Sequence, residues 1–315
     1  MNALALTGFA RRMRVYLIEM YPVPERLALA VLIYVAIAAF ASHIHHVPFD
    51  LASPATAVAI WSIFAMLLIV RLMDELKDKD IDRAMFRDRP LPSGRVRESD
   101  IIISLTAAIA LYLVANLWSD SAFWVALFVL GYALLMFCHF FVLGVLRDSL
   151  LLTLATHNPL FPILVLYGFS MFAAQNGLAM TSLDWGLITA FVAMIWSSAL
   201  GWEIARKIRT AAQEDDYVTY SRIFGRRGAV LICAGLQASS LCIGVYLYVW
   251  LSLSWIYITC FAAGFCVVAG CHFRFLVDPE RGVAALRPAA EIFIFVVLIT
   301  QVVGFADAGW WEFTR

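Results

Sequence analysis

Nine stretches of this chain run long enough, with few charges, to cross a lipid bilayer: residues 26–44, 54–73, 101–118, 122–146, 150–174, 185–204, 229–250, 253–272 and 289–307. A membrane-crossing helix needs about 20 mostly apolar residues, because each advances it by roughly 1.5 Å through a hydrocarbon layer of about 30 Å. Only a tight turn near Leu251-Ser252-Leu253-Ser254 separates the seventh stretch from the eighth. Ahead of the first, residues 1–21 carry Arg11, Arg12 and Arg14. No apolar core with a cleavage site follows them, and the next apolar run is long enough to be a mature span, so a signal peptide is not expected. A short amphipathic helix on the membrane surface is. The pattern predicts an all-α integral membrane protein, a single polytopic domain over 1–315, with a surface segment at 1–21 and cytoplasmic loops at 74–100 and 203–228.

Composition agrees with that class. The chain is 63% hydrophobic with a mean hydropathy of +0.84, against about 45–50% apolar residues in soluble domains. Charge then orients it. With the N-terminus in the cytoplasm, the loops after spans 2, 4, 6 and 8 are cytoplasmic, and 22 of the 23 Lys and Arg residues fall on that side, leaving only Arg315 opposite. This is the positive-inside bias, and a missed or invented span before the last would scramble it. The lipid bilayer is the expected surrounding partner. A net charge of zero argues against nucleic acid. The six cysteines all lie in apolar segments without metal-site spacing and read as small hydrophobes facing lipid or core.

The chemistry concentrates where span 2 ends, in Asp74-Glu75-Leu76-Lys77-Asp78-Lys79-Asp80-Ile81-Asp82. Asp74, Asp78 and Asp82 recur every four residues and Glu75 lies three before Asp78, so a helix carries four carboxylates on one broad face, with Asp80 pointing away. Like charges packed so closely call for a cation, and hard ions such as Mg²⁺ bridge carboxylates to phosphates. The other reading is a solvated helix end, since Lys77 and Lys79 are interleaved. The following Arg89-Pro90-Leu91-Pro92-Ser93-Gly94 cannot continue a helix and forms a rigid reversal.

The acidic run and this reversal together resemble the first aspartate-rich motif and the RPLPSG segment of the UbiA superfamily of membrane prenyltransferases. The nine spans, and charged ends at spans 2 and 6 facing one compartment, match as well, so the resemblance covers most of the chain. It implies nine helices around a central cavity that ionises an allylic diphosphate with Mg²⁺. Metal ligands are then expected at Glu75, Asp78 and Asp82, with Asp74, in place of the family's usual Asn, as a further ligand or a partly protonated neighbour. Asp78 and Asp82 become catalytic candidates, and Arg89 a residue reaching the diphosphate. Asp78 is expected to face Glu203 across the cavity mouth.

The second motif departs from the family. Its Asp-x-x-x-Asp at the end of span 6 is here Glu203-x-x-x-Lys207, and the stretch Glu203-Ile204-Ala205-Arg206-Lys207-Ile208-Arg209, followed by Tyr220-Ser221, resembles a divergent bacterial branch, which implies a bacterial cytoplasmic membrane. Glu203 remains a catalytic and metal-binding candidate, while Arg206, Lys207 and Arg209 could hold diphosphate directly or serve as positive-inside anchors. Glu214, Asp215 and Asp216 are either compensating acids or solvated loop. Arg147 is the one basic residue after span 4 and substitutes for the family's basic position there. In span 5, Thr156-His157-Asn158-Pro159 places polar groups beside a kinking proline; Asn158 either satisfies backbone groups freed by Pro159 or lines an acceptor pocket. His139 and His272 are expected to have no catalytic role.

The resemblance implies an isoprenoid diphosphate as donor. No residue pattern identifies an acceptor, and a terpene cyclase, which needs none, stands as the alternative. A transporter would place charges at the bilayer midplane, which the clustering of acids at one end disfavours.

Overall fold

The computed structural model describes residues 3–147, 149–214, 218–306 and 311–312. Among these residues thirteen α-helices follow one another: α1 (Ala3–Glu19), α2 (Val23–His45), α3 (Pro54–Lys77), α4 (Lys79–Met85), α5 (Glu98–Ala115), α6 (Asp120–Phe137), α7 (Leu143–Arg147), α8 (Leu150–His157), α9 (Leu160–Gln175), α10 (Trp185–Ala205), α11 (Tyr220–Trp250), α12 (Trp255–Val277) and α13 (Pro279–Ala306). Two short strands, β1 (Phe49–Asp50) and β2 (Trp311–Glu312), pair in parallel. Among the described residues nine helical segments are long and apolar enough to cross a membrane, α8 and α9 together forming the fifth. In lipid every backbone N–H and C=O must be satisfied within its own segment, which is why the apolar runs are helices throughout.

Three spans differ from the hydrophobic reading, each for a physical reason. The fourth was expected to reach residue 146, but α6 stops at Phe137, where His139, Phe140 and Phe141 take left-handed backbone angles (φ 49°, 52° and 60°). The seventh begins at Tyr220, nine residues before its apolar run. Thr219 caps it by accepting from the Arg222 N–H at 3.2 Å, and Gly225 (φ 70°) admits a kink between the charged turns and the apolar ones. The ninth begins at Pro279, because a helix outside the bilayer needs no apolar surface and accommodates Arg281 and Arg287.

Packing divides the chain into two units. The first comprises Met1–Tyr34 and Ala52–Leu143, the second Val35–Leu51 and Gly144–Arg315. In the first, α3 packs on α5 and α6. The apolar face of α1 (Met13, Tyr16) joins Tyr21, Leu72, Val96 and Ile101 in one core. Arg12 locks that helix down: its Nε and Nη2 donate to Asp100 Oδ2 and Oδ1 at 2.6 and 2.7 Å. Asp100, which is buried, also accepts the Arg97 N–H at 3.0 Å and so caps α5. The amphipathic N-terminal helix is therefore docked on protein rather than attached through lipid alone.

In the second unit, α10 packs on α9, α11 and α13, and α12 on α11 and α13. Phe40, Phe169, Phe191 and Phe305 form an aromatic knot, with Phe40 and Phe191 centroids 4.4 Å apart. Buried polar groups here find partners across helices: Tyr257 with Gln301 at 3.2 Å, and Ser240 Oγ donating to the Met194 carbonyl at 2.9 Å. Cys233 Sγ donates to the Gly201 carbonyl at 3.0 Å and lies 3.5 Å from His272 Nε2, so both side chains belong to the core. Cys242, Cys260 and Cys266 are exposed on helix surfaces, and Cys138 is exposed just beyond the end of α6.

The docking of α1 predicts an asymmetry between two arginine pairs. Asp100→Ala removes a buried acceptor for both Arg12 and the α5 cap and should destabilise the protein by about 1–3 kcal/mol. Glu19→Ala breaks a solvent-exposed pair with Arg95 and should cost less than about 1 kcal/mol. Thermal unfolding in detergent compares the two; equal effects would mean that Asp100 does not hold α1.

Candidate functional site

The acidic run is not one continuous helix. Helix α3 starts at Pro54, capped by Ser53 Oγ accepting from the Thr56 N–H at 3.1 Å, and ends at Lys77, with Asp78 as the break (φ −99°, ψ 10°) before α4. The helical register nevertheless passes through. The Asp78 N–H donates to the Asp74 carbonyl, and the Asp82 N–H to the Asp78 carbonyl, both at 2.9 Å. Glu75 and Asp82 are therefore buried, Asp74 and Asp78 half-buried, and Asp80 exposed beside Arg83.

Cations answer the inward acids. Glu75, 1% exposed, accepts from Arg71 one helical turn earlier, and its Oε2 is buried without a partner. Both oxygens of Asp82 accept from a single nitrogen, Nη1 of Arg89, at 2.8 Å each, and the Arg89 guanidinium lies 3.9 Å above the Phe86 ring. Asp74 lies 3.4 Å from Lys77, and Lys79 bonds Glu98 at 3.1 Å. Arg71 was not recognised in the sequence, although a lone Arg inside an apolar span, four residues before an acid, is the signal for it. Burial is the main force that raises the Asp78 carboxyl above the usual carboxylate range; Lys77 opposes it, while Asp74 and Asp82 push the same way. Burial likewise raises the Tyr16 phenol, against the pull of Arg71.

The Arg89–Gly94 segment is a tight reversal that fixes Arg89. Ser93 donates to the Arg89 carbonyl through its N–H at 3.0 Å and its Oγ at 2.7 Å. Gly94 (φ 76°) supplies the left-handed corner, and the Val96 N–H closes on the Pro90 carbonyl at 3.0 Å. Arg95 ties the loop to Glu19 and to the Asp88 carbonyl.

The end of α10 carries a second cluster, in the other unit. Glu203 accepts from Arg206 Nε and Nη2 at 2.5 and 2.8 Å, and Lys207 Nζ stands 3.2 Å away. One carboxylate thus faces two cations. Arg206 also sits over the Trp202 ring at 5.4 Å and Lys207 over the Tyr220 ring at 5.9 Å. Glu214 is a loop tie rather than a free acid: it accepts from Thr219 Oγ1 at 2.8 Å and Ser221 Oγ at 2.6 Å, while Ser221 Oγ accepts the Arg209 N–H at 2.9 Å. Asp215, Asp216 and the Arg147 side chain lie outside the described residues.

Span 5 breaks at Asn158-Pro159, between α8 and α9. Asn158 Oδ1 accepts the Trp196 indole N–H at 2.5 Å, so the oxygen joins span 5 to α10 instead of serving the backbone. His157 Nδ1 lies 3.0 Å from Thr156 Oγ1.

Among the described residues, no three His, Cys, Asp or Glu side chains converge into a metal-holding group. The donor set at the end of α3 still suits a hard divalent cation. It consists of carboxylate oxygens, and the orphaned Glu75 Oε2 is a buried acceptor that such an ion satisfies. The Glu203 cluster suits an anion better, because its carboxylate is already engaged by Arg206 and Lys207.

The raised Asp78 carboxyl has a consequence in Mg²⁺-free buffer. Between its ordinary value and its raised one the folded chain binds more protons than the unfolded chain, so stability falls as pH rises through that window. Asp78→Asn removes this penalty. It should melt higher than the parent at neutral pH, and the gain should vanish below the ordinary Asp range, about pH 4. A gain independent of pH would contradict this origin.

The model of the UbiA prenyltransferase family matches residues 29–297. No curated protein sequence matches the chain. Among solved structures, the chain is similar to digeranylgeranylglyceryl phosphate synthase (15% identity, 94% of this chain and 99% of that one, TM-score 0.66). It is similar to the apo structure of a UbiA homologue from Aeropyrum pernix K1 (16%, 88% and 97%, TM-score 0.66). A UbiA homologue from Archaeoglobus fulgidus bound to DMAPP and Mg²⁺ also shares the fold (14%, 91% and 99%, TM-score 0.55). With the family model spanning most of the chain, and nine membrane-length helices in the same fold, this protein belongs to the UbiA prenyltransferase family.

Proposed function

We propose that this protein is a Mg²⁺-dependent membrane prenyltransferase that moves a prenyl group from an isoprenoid diphosphate to a small or lipophilic acceptor. The observation that carries the reading is the pair of buried carboxylates Glu75 and Asp82 at the end of a membrane-length helix, one with an oxygen lacking any partner. Burying unsatisfied acidic oxygen is costly, and a binding site is the common reason to keep it. The matched family and the Mg²⁺ and DMAPP held by the Archaeoglobus homologue support the same chemistry.

Glu75, Asp78 and Asp82 are the residues that would hold Mg²⁺, with Asp74 beside them. When bound, the ion supplies charge neutralisation for the diphosphate and stabilises its departure. Arg89 uses only one nitrogen on Asp82, which leaves the rest of a planar, phosphate-matching fork for the donor. Its rigid reversal and its seat on Phe86 hold that fork in place. Arg206 and Lys207 contribute positive charge for the diphosphate where the family uses a second acidic pair. Asn158, held by Trp196, is a positioning residue for the polar break in span 5, and Arg147 remains a proposed basic contact. The allylic cation left by the diphosphate requires exclusion of water, which the apolar helices provide. The charge bias along the chain supports a cytoplasmic N-terminus, and the likeness of the span 6 end to a bacterial branch supports a bacterial cytoplasmic membrane. A terpene cyclase is the second reading, favoured by the substituted Glu203–Lys207 pattern.

Purified protein supplied with a panel of prenyl diphosphates, with and without membrane extract, separates these readings. Product only with extract indicates a transferase, and a cyclised hydrocarbon or alcohol from donor alone indicates a cyclase. Within that assay, Asp78→Asn keeps size and hydrogen bonding but removes charge. Turnover should fall at least about a hundredfold, a loss near 3 kcal/mol of transition-state stabilisation. The exposed Asp80→Asn is the internal control and should be nearly silent. Equal activity of the two variants would return the acidic run to a solvated helix end.

The second cluster makes a separate prediction. Arg206→Ala and Lys207→Ala should weaken donor binding by about tenfold each while leaving the Mg²⁺ dependence of turnover unchanged. Titration of a non-hydrolysable diphosphate analogue at fixed Mg²⁺ measures this; unchanged affinity in both variants would leave them as membrane anchors only.

A further inference from the structure

Where the cytoplasmic end of α10 meets the start of α13, a cavity of about 480 Å³ opens, lined by Ala205, Arg206, Ile208 and Gln213 on one side and by Val283, Ala284, Arg287, Pro288 and Glu291 on the other. Its size falls within the roughly 300–1,000 Å³ of small-ligand pockets. The α13 contribution is one helical face, since the five positions recur at offsets of three and four. The Arg287 guanidinium and the Glu291 carboxylate line it, beside Arg206, which Glu203 holds. Among the described residues no ion pair engages Arg287 or Glu291, although they are one turn apart on the same helix.

Arg287 gives the cavity a donor and Glu291 an acceptor, one turn apart on α13.

Its depth points to the occupant. Arg281 and Arg287 precede an apolar run from Ala289 to Phe305, so residues 287–291 mark the level at which helix α13 passes from aqueous surroundings into hydrocarbon. That is the headgroup plane of the leaflet. We propose that this cavity binds the headgroup of a zwitterionic phospholipid carrying a primary amine, phosphatidylethanolamine in chemical class. Its phosphodiester is taken by Arg287, and its ammonium by Glu291. An anionic glycerol headgroup brings hydroxyls but no cation to Glu291, and a trimethylated amine has no N–H to donate to that carboxylate. Val283, Ile208 and Ala205 supply apolar wall where the acyl chains begin.

The test uses full-length protein, delipidated in detergent, with phosphatidylethanolamine, phosphatidylglycerol or phosphatidylcholine added at equal mole fraction. Native mass spectrometry and thermal unfolding read retention and stabilisation. The ethanolamine lipid should be retained about tenfold better than either other lipid. Arg287→Gln should lower retention of all phospholipids at this site, whereas Glu291→Gln should abolish the ethanolamine preference and leave glycerol-lipid retention unchanged or higher. Arg226→Gln, on α11 and outside the cavity, should change neither. Equal retention of the three lipids by the parent would overturn the proposal without any variant, as would a preference that survives Glu291→Gln. Soluble phosphoethanolamine protecting as well as the lipid does would overturn the assignment to a membrane lipid.

Discussion

Carboxylates at the ends of membrane-length helices have to be answered by cations, and the described structure is organised around that need. An acidic side chain taken out of water loses hydration worth several kcal/mol even after relaxation. Glu75 and Asp82 are both nearly fully buried, and each holds an arginine, Arg71 from inside the span and Arg89 from the reversal that follows it. Asp100 repeats the solution with Arg12, which fastens the N-terminal helix. In this half of the chain the ion pairs set which helices and loops come together, while the apolar residues Leu72, Val96 and Ile101 fill the space beneath them.

The same constraint runs in the opposite sense at the end of α10. There a single carboxylate is shared by Arg206 and Lys207, and the surplus is positive. An acid-rich end recruits a cation and a base-rich end recruits an anion, so the two helix ends offer complementary chemistry from similar positions at the ends of spans 2 and 6. Lys207 stands where the family carries an acid, so the described charge at this helix end is basic rather than acidic.

Local order at these ends comes from short-range devices. Gly94 and Pro90 shape the reversal that presents Arg89, Asp78 interrupts α3 without losing its register, and Glu214 ties Thr219 and Ser221 into the loop that leads to α11. Each satisfies backbone or side-chain polar groups within a few residues. The charged groups are thereby held by rigid turns rather than by long flexible connections, which lowers the conformational entropy lost when a ligand binds.

The sequence by itself determined the nine spans, the acidic face with Asp80 turned outward, the break at Asn158-Pro159 and the family resemblance. These follow from composition and short-range periodicity, which depend on only a few neighbouring residues. It also showed where the carboxylates are, but not which distant cations meet them. Arg12 with Asp100 is a contact across 88 positions, and Trp196 with Asn158 one across 38; no local pattern encodes either. The helical extensions of α11 and α13 escaped the hydrophobic reading for a related reason, because outside the bilayer caps and packing hold a helix that apolar content does not mark. Pairs three or four residues apart, such as Arg71 with Glu75 and Arg206 with Glu203, follow from helix spacing; only the tertiary structure decided the long-range pairings, since these depend on which distant side chains folding brings within a few ångströms.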